Sequence, residues 1–178
     1  VRSNWIEMAY RLMRLSIPNT IGWIMGFYAF FHLFLNITSE IMGFGDRHFY
    51  MDWWNCRNLE EYWKTWNLPV HFFFIRHCYT PLLKRGWSKL SANFLVFILS
   101  ALAYEYIACV PLGIFSYYMF LAMFLQAPAI FIERQISKTF HLQNSELGNV
   151  SFWLFFCFLG QPTCIFIYYS LFMKTHLE

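Results

Sequence analysis

The chain has 178 residues, of which 58% are hydrophobic and only 13% charged, and its mean hydropathy is +0.40. A soluble globule of this size needs roughly a quarter of its residues charged to cover itself, so a soluble domain, a disordered chain, a collagen-like repeat and a coiled coil are all excluded. A membrane protein remains, and the net charge of +3 matters only through where the charges lie.

Residues 1–16 place Trp5, Met8, Ala9, Leu12 and Met13 at helical spacing among Arg2, Arg11 and Arg14. This reads as an interfacial helix or the end of a preceding one. The first span runs from Ile17 to about Thr38, with Pro18 expected in its first turn. From Glu40 to Lys89, charges, Trp and Tyr mix with apolar stretches too short to cross. That composition predicts a large loop with interfacial or re-entrant helices. The second span is Leu90–Val110, ended by Pro111 and Gly113, and the third is Ile114–Ile132, reached through a tight turn. A polar stretch from Glu133 to Asn149 follows. The fourth span is Val150–Phe172, with a kink expected at Gly160 and Pro162. The expected architecture is therefore an all-α polytopic bundle of about four spans, one membrane domain over 1–178. Starting at Val1 without a leader pattern, it reads as a fragment of something longer.

Four spans fix which segments share a side. Arg47, Arg57, Lys64, Arg76, Lys84, Arg85, Lys89, Arg134 and Lys138 lie on the face of the large loop, whereas Arg2, Arg11, Arg14 and Lys174 lie opposite. Positive-inside bias then predicts that the loop 40–89 is cytosolic. Five scattered cysteines without a CxxC pair indicate neither a disulfide framework nor a zinc site, and His32, His48, His77, His141 and His176 have no metal-like pairing. Dispersed basic residues do not form a nucleic-acid stripe. They suit anionic headgroups or the phosphates of a nucleotide-bearing substrate. The glycosylation sequons at Asn36 and Asn149 are discounted, one for lying at a span and the other for facing the cytosol.

Glu105 is the one carboxylate deep in a span, and such a residue is a functional candidate by default. A structural role, hydrogen-bonded to a neighbouring helix, is the competing reading. Gln126 and Gln161 also lie mid-span, where an amide must find a partner or line a wet cavity. Each alone reads as interhelical glue; three polar groups on successive helices point to a shared chamber. In the loop, Phe49-Tyr50-Met51-Asp52-Trp53-Trp54-Asn55 surrounds one carboxylate with aromatics. An interfacial aromatic belt would explain the rings. It would not explain Asp52 and Asn55 at i and i+3, which put two polar groups on one helical face, as a recognition surface requires.

That seven-residue run resembles the FYxDWWN signature of the membrane-bound O-acyltransferase superfamily, in its branch that esterifies diacylglycerol or sterol with acyl-CoA. Further blocks follow in order: Trp66-Asn67-Leu68-Pro69-Val70-His71, Ile75-Arg76-His77, Lys84-Arg85-Gly86, Val110-Pro111-Leu112 and Gly160-Gln161-Pro162. Together they are more similar to the diacylglycerol O-acyltransferase type 1 enzymes than to the sterol enzymes, over nearly the whole chain, which the resemblance places as the C-terminal part of a larger domain of that family. The resemblance implies an endoplasmic-reticulum enzyme of triacylglycerol synthesis. Its partners would be acyl-CoA and diacylglycerol, both substrates, with no cofactor, and it would form a homo-oligomer through segments outside this chain. It further implies that Phe49, Tyr50, Asp52, Trp53, Trp54 and Asn55 bind acyl-CoA and that Asn67 belongs to the active site. His71, Gln126 and Gln161 would support or line the chamber, and Glu105 would support the residue before it.

One position departs from the family pattern. Where the resemblance expects the catalytic His of an S-A-x-x-H-E-Y block, this chain reads Ser100-Ala101-Leu102-Ala103-Tyr104-Glu105-Tyr106. Acyl transfer from a thioester to an alcohol needs a base at the hydroxyl, donors for the oxyanion and exclusion of water. An imidazole with a pKa of ~6.5 can take that proton at neutral pH, whereas a phenol with a pKa of ~10 is already protonated. Acyl transfer is therefore expected to be impaired by Tyr104. The alternatives are a non-catalytic lipid- or partner-binding relative and, among enzymes, a sterol acyltransferase. Asn67, followed by Leu68 and Pro69, also reads as a helix cap, a role compatible with catalysis.

Overall fold

The computed structural model describes residues 5–139 and 146–177; Arg2, His141 and the side chain of His176 lie outside that part. Every regular element among the described residues is helical. Four helices are long and apolar enough to cross a membrane: Trp5–Met42, Lys89–Leu112, Tyr118–Thr139 and Glu146–Thr175. The four-span, all-α expectation holds.

The boundaries shift in instructive ways. Residues 5–16 do not form a separate helix; they continue into the first span, giving one helix of 38 residues, Trp5–Met42. At 1.5 Å per residue it is about 57 Å long, well beyond a hydrocarbon core of ~30 Å. Pro18 consequently lies inside the helix rather than in its first turn. Upstream, Arg11 bonds Glu7 one turn away at 2.5 Å, so charged residues stay helical before the apolar stretch begins. Wide π turns interrupt two spans, at Tyr28–Phe34 and Phe156–Gly160. The second stands immediately before Gln161 and the fully buried Pro162, where a proline without an N–H would otherwise disrupt the ladder. The kink expected at Gly160 and Pro162 thus takes the form of a widened turn.

The second span ends at Leu112 with Gly113 in the left-handed conformation (φ 66°). The third starts at Tyr118, later than the expected Ile114, because residues 113–117 are needed to reverse the chain. The polar stretch to Asn149 is likewise shorter than expected: the last helix already begins at Glu146.

In the loop, a 3-10 turn at Trp53–Asn55 is followed by a helix Leu59–Thr65 and a helical run over 68–84 with its own π turn at Ile75–Tyr79. Both helices start with an asparagine cap: Asn58 accepts from the Glu61 N–H and Asn67 from the Val70 N–H. These segments pack on the spans through an aromatic core of Phe27, Phe31, Phe49, Trp53, Tyr62 and Phe152. Trp53 is its centre, 4% exposed, with the rings of Phe27 and Trp23 at 4.7 and 4.9 Å and that of Trp153 at 5.8 Å. The aromatic excess therefore joins the loop to the first and last spans.

Two contacts make this joint testable. A Cβ on Gly148 would stand 2.5 Å from the Arg57 carbonyl oxygen, a backbone atom with no room to yield. Gly148→Ala should cost about 1–3 kcal/mol, as overpacking does, and lower the thermal midpoint followed by tryptophan emission. On the other side, Glu60 bonds Lys64 at 2.6 Å and Arg134 of the third span. Partial burial pushes the Glu60 carboxyl up, but the hydrogen bonds and charges of Arg134 and Lys64 win and hold it below its ordinary 4.5. A depressed carboxylate stabilises the fold fully above the unfolded value of 4.5, and that contribution is lost as pH falls through the lower folded value. Arg134→Met should therefore flatten the acid side of the stability profile, and an unchanged profile would show the bridge to be inert.

Candidate active-site elements

The signature run divides by exposure. Phe49 and Trp53 are buried in the aromatic core, while Asp52, Trp54 and Asn55 face outward and Tyr50 lies between. A single 3-10 turn, rather than an α-helix, holds Asp52 and Asn55 together, with the Asn55 N–H donating to the Asp52 carbonyl at 3.0 Å. Residues three apart eclipse in that turn, so the two polar groups still share a side. Backbone bonds tie the run to the neighbouring helices: Met51 N–H to the Thr65 carbonyl at 2.8 Å and Leu68 N–H to the Phe49 carbonyl at 3.0 Å. The Tyr50 hydroxyl meets His32 Nδ1 at 2.7 Å, so His32 is engaged with the run rather than being a packing residue. Cys56, 1% exposed, has its thiol pushed up to about 12, first by burial and then by Glu61 and Glu133, and packs as an inert apolar group.

Asn67 is the helix cap that its sequence context suggested. Its Oδ1 accepts from the Val70 N–H at 3.2 Å, and its own carbonyl accepts from the His71 N–H at 3.0 Å. His71 is held below the ordinary imidazole value by burial and then by the Lys64 charge, and so stays uncharged at neutral pH. Trp66, adjacent to Asn67, packs edge-on against Trp63 at 5.9 Å. Trp63 in turn stands edge-on to the Tyr104 ring at 5.7 Å and donates its indole N–H to Gln126 Oε1 at 2.6 Å. Trp63 thereby joins Tyr104 and Gln126 directly and reaches Asn67 only through its chain neighbour Trp66, a role no spacing rule marks, because Tyr104 and Gln126 are 41 and 63 residues downstream in the sequence.

The mid-span polar groups do not bond one another. Gln161 Oε1 accepts from Asn19 of the first span at 3.3 Å. Glu105 accepts from five donors: Cys109 Sγ at 2.6 Å, the N–H groups of Ser116, Tyr117 and Phe120 at 3.4, 2.9 and 2.9 Å, and the Tyr168 hydroxyl at 3.0 Å. None of these is Tyr104. The carboxylate pins the turn between the second and third spans and fastens it to the last span, so any support it lends Tyr104 acts through the helix they share. Asn149, considered only as a sequon, is helical, and its Nδ2 donates to the Trp54 and Cys56 carbonyls at 3.1 and 2.7 Å. The nitrogen a glycan would need is thus engaged within the fold.

The membrane-bound O-acyltransferase family model matches residues 3–171, which is nearly the whole chain. The chain belongs to that family. Within it, the chain is 42% identical over 169 residues to diacylglycerol O-acyltransferase 1-2 of Oryza sativa subsp. japonica, covering 95% of this chain and 35% of that protein. It is 43% identical, over 95% of its own length and 31% of the relative's, to diacylglycerol O-acyltransferase 1 of Corylus americana. Against diacylglycerol O-acyltransferase 1 of Dictyostelium discoideum the identity is 40%, with 94% and 26% covered. The chain thus spans about a third or less of the length of these relatives. In this membrane-bound O-acyltransferase segment, the Trp63 junction and the signature turn lie at the two ends of one aromatic cluster, bridged by Tyr62, whose ring is 6.3 Å from Trp53 and 5.3 Å from Trp63.

Proposed function

We propose that this segment belongs to a diacylglycerol O-acyltransferase-like protein of the endoplasmic-reticulum membrane, built to take acyl-CoA and a lipid alcohol but slowed in acyl transfer by Tyr104. The observation that carries the reading is the Trp63 junction, where the Tyr104 ring, Gln126 and Trp66, the chain neighbour of Asn67, meet around one indole. Acyl-CoA docks from the cytosolic side on the outward-facing Asp52, Trp54 and Asn55, with Tyr50 beside them and Phe49 and Trp53 holding the turn from inside. Its acyl chain lies in the membrane, and diacylglycerol enters laterally. Asn67 spends its Oδ1 on the helix cap and offers its Nδ2 to the reacting carbonyl. Gln126 and Gln161 line the chamber while tying it to Trp63 and Asn19. Water exclusion falls to the aromatic cluster, since a thioester in an open site would be hydrolysed.

The replacement of the family histidine by Tyr104 favours a second reading, a relative that binds acyl-CoA or lipid without turnover. Labelled acyl-CoA supplied to the purified full-length protein with diacylglycerol or with sterol separates these. Slow triacylglycerol formation is expected. Acyl-CoA binding without any ester supports the non-catalytic relative, and steryl ester alone defeats the diacylglycerol reading. In the same assay, Asp52→Ala combined with Asn55→Ala should weaken acyl-CoA binding without lowering the thermal midpoint; unchanged binding would leave the run as an interfacial aromatic belt.

A further inference from the structure

The signature turn has no side-chain cap of its own on Asp52, yet its backbone is held at two carbonyls, Trp54 and Cys56, by side chains of the last helix. The Trp54 carbonyl accepts from both Trp153 Nε1 at 2.9 Å and Asn149 Nδ2 at 3.1 Å. The Cys56 carbonyl accepts from Asn149 Nδ2 at 2.7 Å. The Arg57 carbonyl lies against Gly148, where even a methyl group does not fit. Asn149 and Trp153 are four residues apart, so one helical face holds both carbonyls, while Asp52, Trp54 and Asn55 remain exposed.

We propose that Asn149 and Trp153 are positioning residues of the acyl-CoA site: they fix the backbone of the signature turn so that its exposed side chains meet the coenzyme A end of the substrate. The inference rests on the reading of that turn as the acyl-CoA site. A carboxamide suits the task because its two N–H bonds reach two carbonyls at once, whereas a carboxylate at the same place has no proton to donate and would repel both oxygens. The same helix carries Gln161 beyond its π turn, so the element that sets the turn also reaches the mid-membrane polar group.

The test uses the full-length protein in detergent or nanodiscs, with oleoyl-CoA as the probe. Asn149→Asp is expected to weaken oleoyl-CoA binding about tenfold and Trp153→Phe, which keeps a ring but loses the donor, roughly three- to fivefold, in line with the loss of one or two hydrogen bonds. The thermal midpoint should stay within a few degrees. In a Tyr104→His background, KM for oleoyl-CoA should rise while KM for diacylglycerol does not, a split that a general loosening of the fold would not produce. If Asn149→Asp fails to fold, Trp153→Phe decides alone. Unchanged oleoyl-CoA binding in the folded variants overturns the positioning role, even where Asp52→Ala with Asn55→Ala still weakens it. If that double variant also binds normally, the acyl-CoA reading of the turn fails, and the positioning role with it.

Discussion

Tyr104→His in the full-length protein is expected to raise triacylglycerol formation roughly 10²–10⁴-fold, the range a well-placed general base contributes. A neutral imidazole can take the acceptor hydroxyl's proton at pH 7, which a protonated phenol cannot. The surroundings are compatible with the exchange: Tyr104 lies edge-on to Trp63 at 5.7 Å, and Trp63 is already fixed by its 2.6 Å bond to Gln126, so the smaller ring inherits a formed wall. Tyr104→Phe is the control. It keeps the ring and removes the hydroxyl, and it should leave the slow rate unchanged if the phenol takes no part. A Tyr form as fast as the His form would show that the proton leaves by another route. An enzyme gaining nothing from His while still binding acyl-CoA would point to a loss of geometry beyond this one side chain.

Glu105→Ala should be the most destabilising single change in the described part of the chain. Hydrogen bonds to a charged group contribute about 1.5–3 kcal/mol each, and removing the acceptor leaves its donors unpaired at apolar depth, so a loss on the order of 3 kcal/mol or more is expected. The affected donors are specific. Tyr117 has a left-handed backbone, φ 60°, uncommon for a large residue, and its N–H is held by Glu105 Oε1 at 2.9 Å. The Phe120 N–H at 2.9 Å and the Tyr168 hydroxyl at 3.0 Å occupy the other oxygen. Glu105→Gln should recover only part of the stability, because each carboxylate oxygen accepts from at least two donors and an NH2 group in place of either would confront them. Tyr168→Phe removes one bond and should cost about 1 kcal/mol. Thermal unfolding in detergent gives the order Glu105→Ala, Glu105→Gln, Tyr168→Phe; equal midpoints for all three would show that the turn is held by packing alone.

Local signals read well in this chain wherever a residue's partner was nearby. Asn67 before Leu68-Pro69 announced a cap and is one. Gly113 announced the end of the second span and adopts the left-handed conformation there. The spans themselves were legible because a bilayer demands about 20 apolar residues per crossing. Pro18 misled because the rule for helix starts assumes that a helix begins where apolarity begins, and this one begins earlier, in charged sequence. Glu105 was visible as an anomaly but not as a turn lock, since three of its donors are backbone N–H groups, which every residue but proline carries. Asn149 and Trp63 gave no usable signal: one partners a loop more than ninety residues away, the other links three elements through a single indole.

Hydropathy determined from the sequence alone that the described residues hold four helices long and apolar enough to cross a membrane, because the cost of burying charge in hydrocarbon leaves its mark on every such stretch. The ordered motif blocks determined the family, and the sequence alone marked Tyr104 as the departure from its histidine pattern. Only the tertiary structure decided which polar groups meet. Hydrogen bonds act over about 3 Å, and the chain distance between Asn149 and Trp54, or between Trp63 and Gln126, says nothing about that separation until the helices are packed.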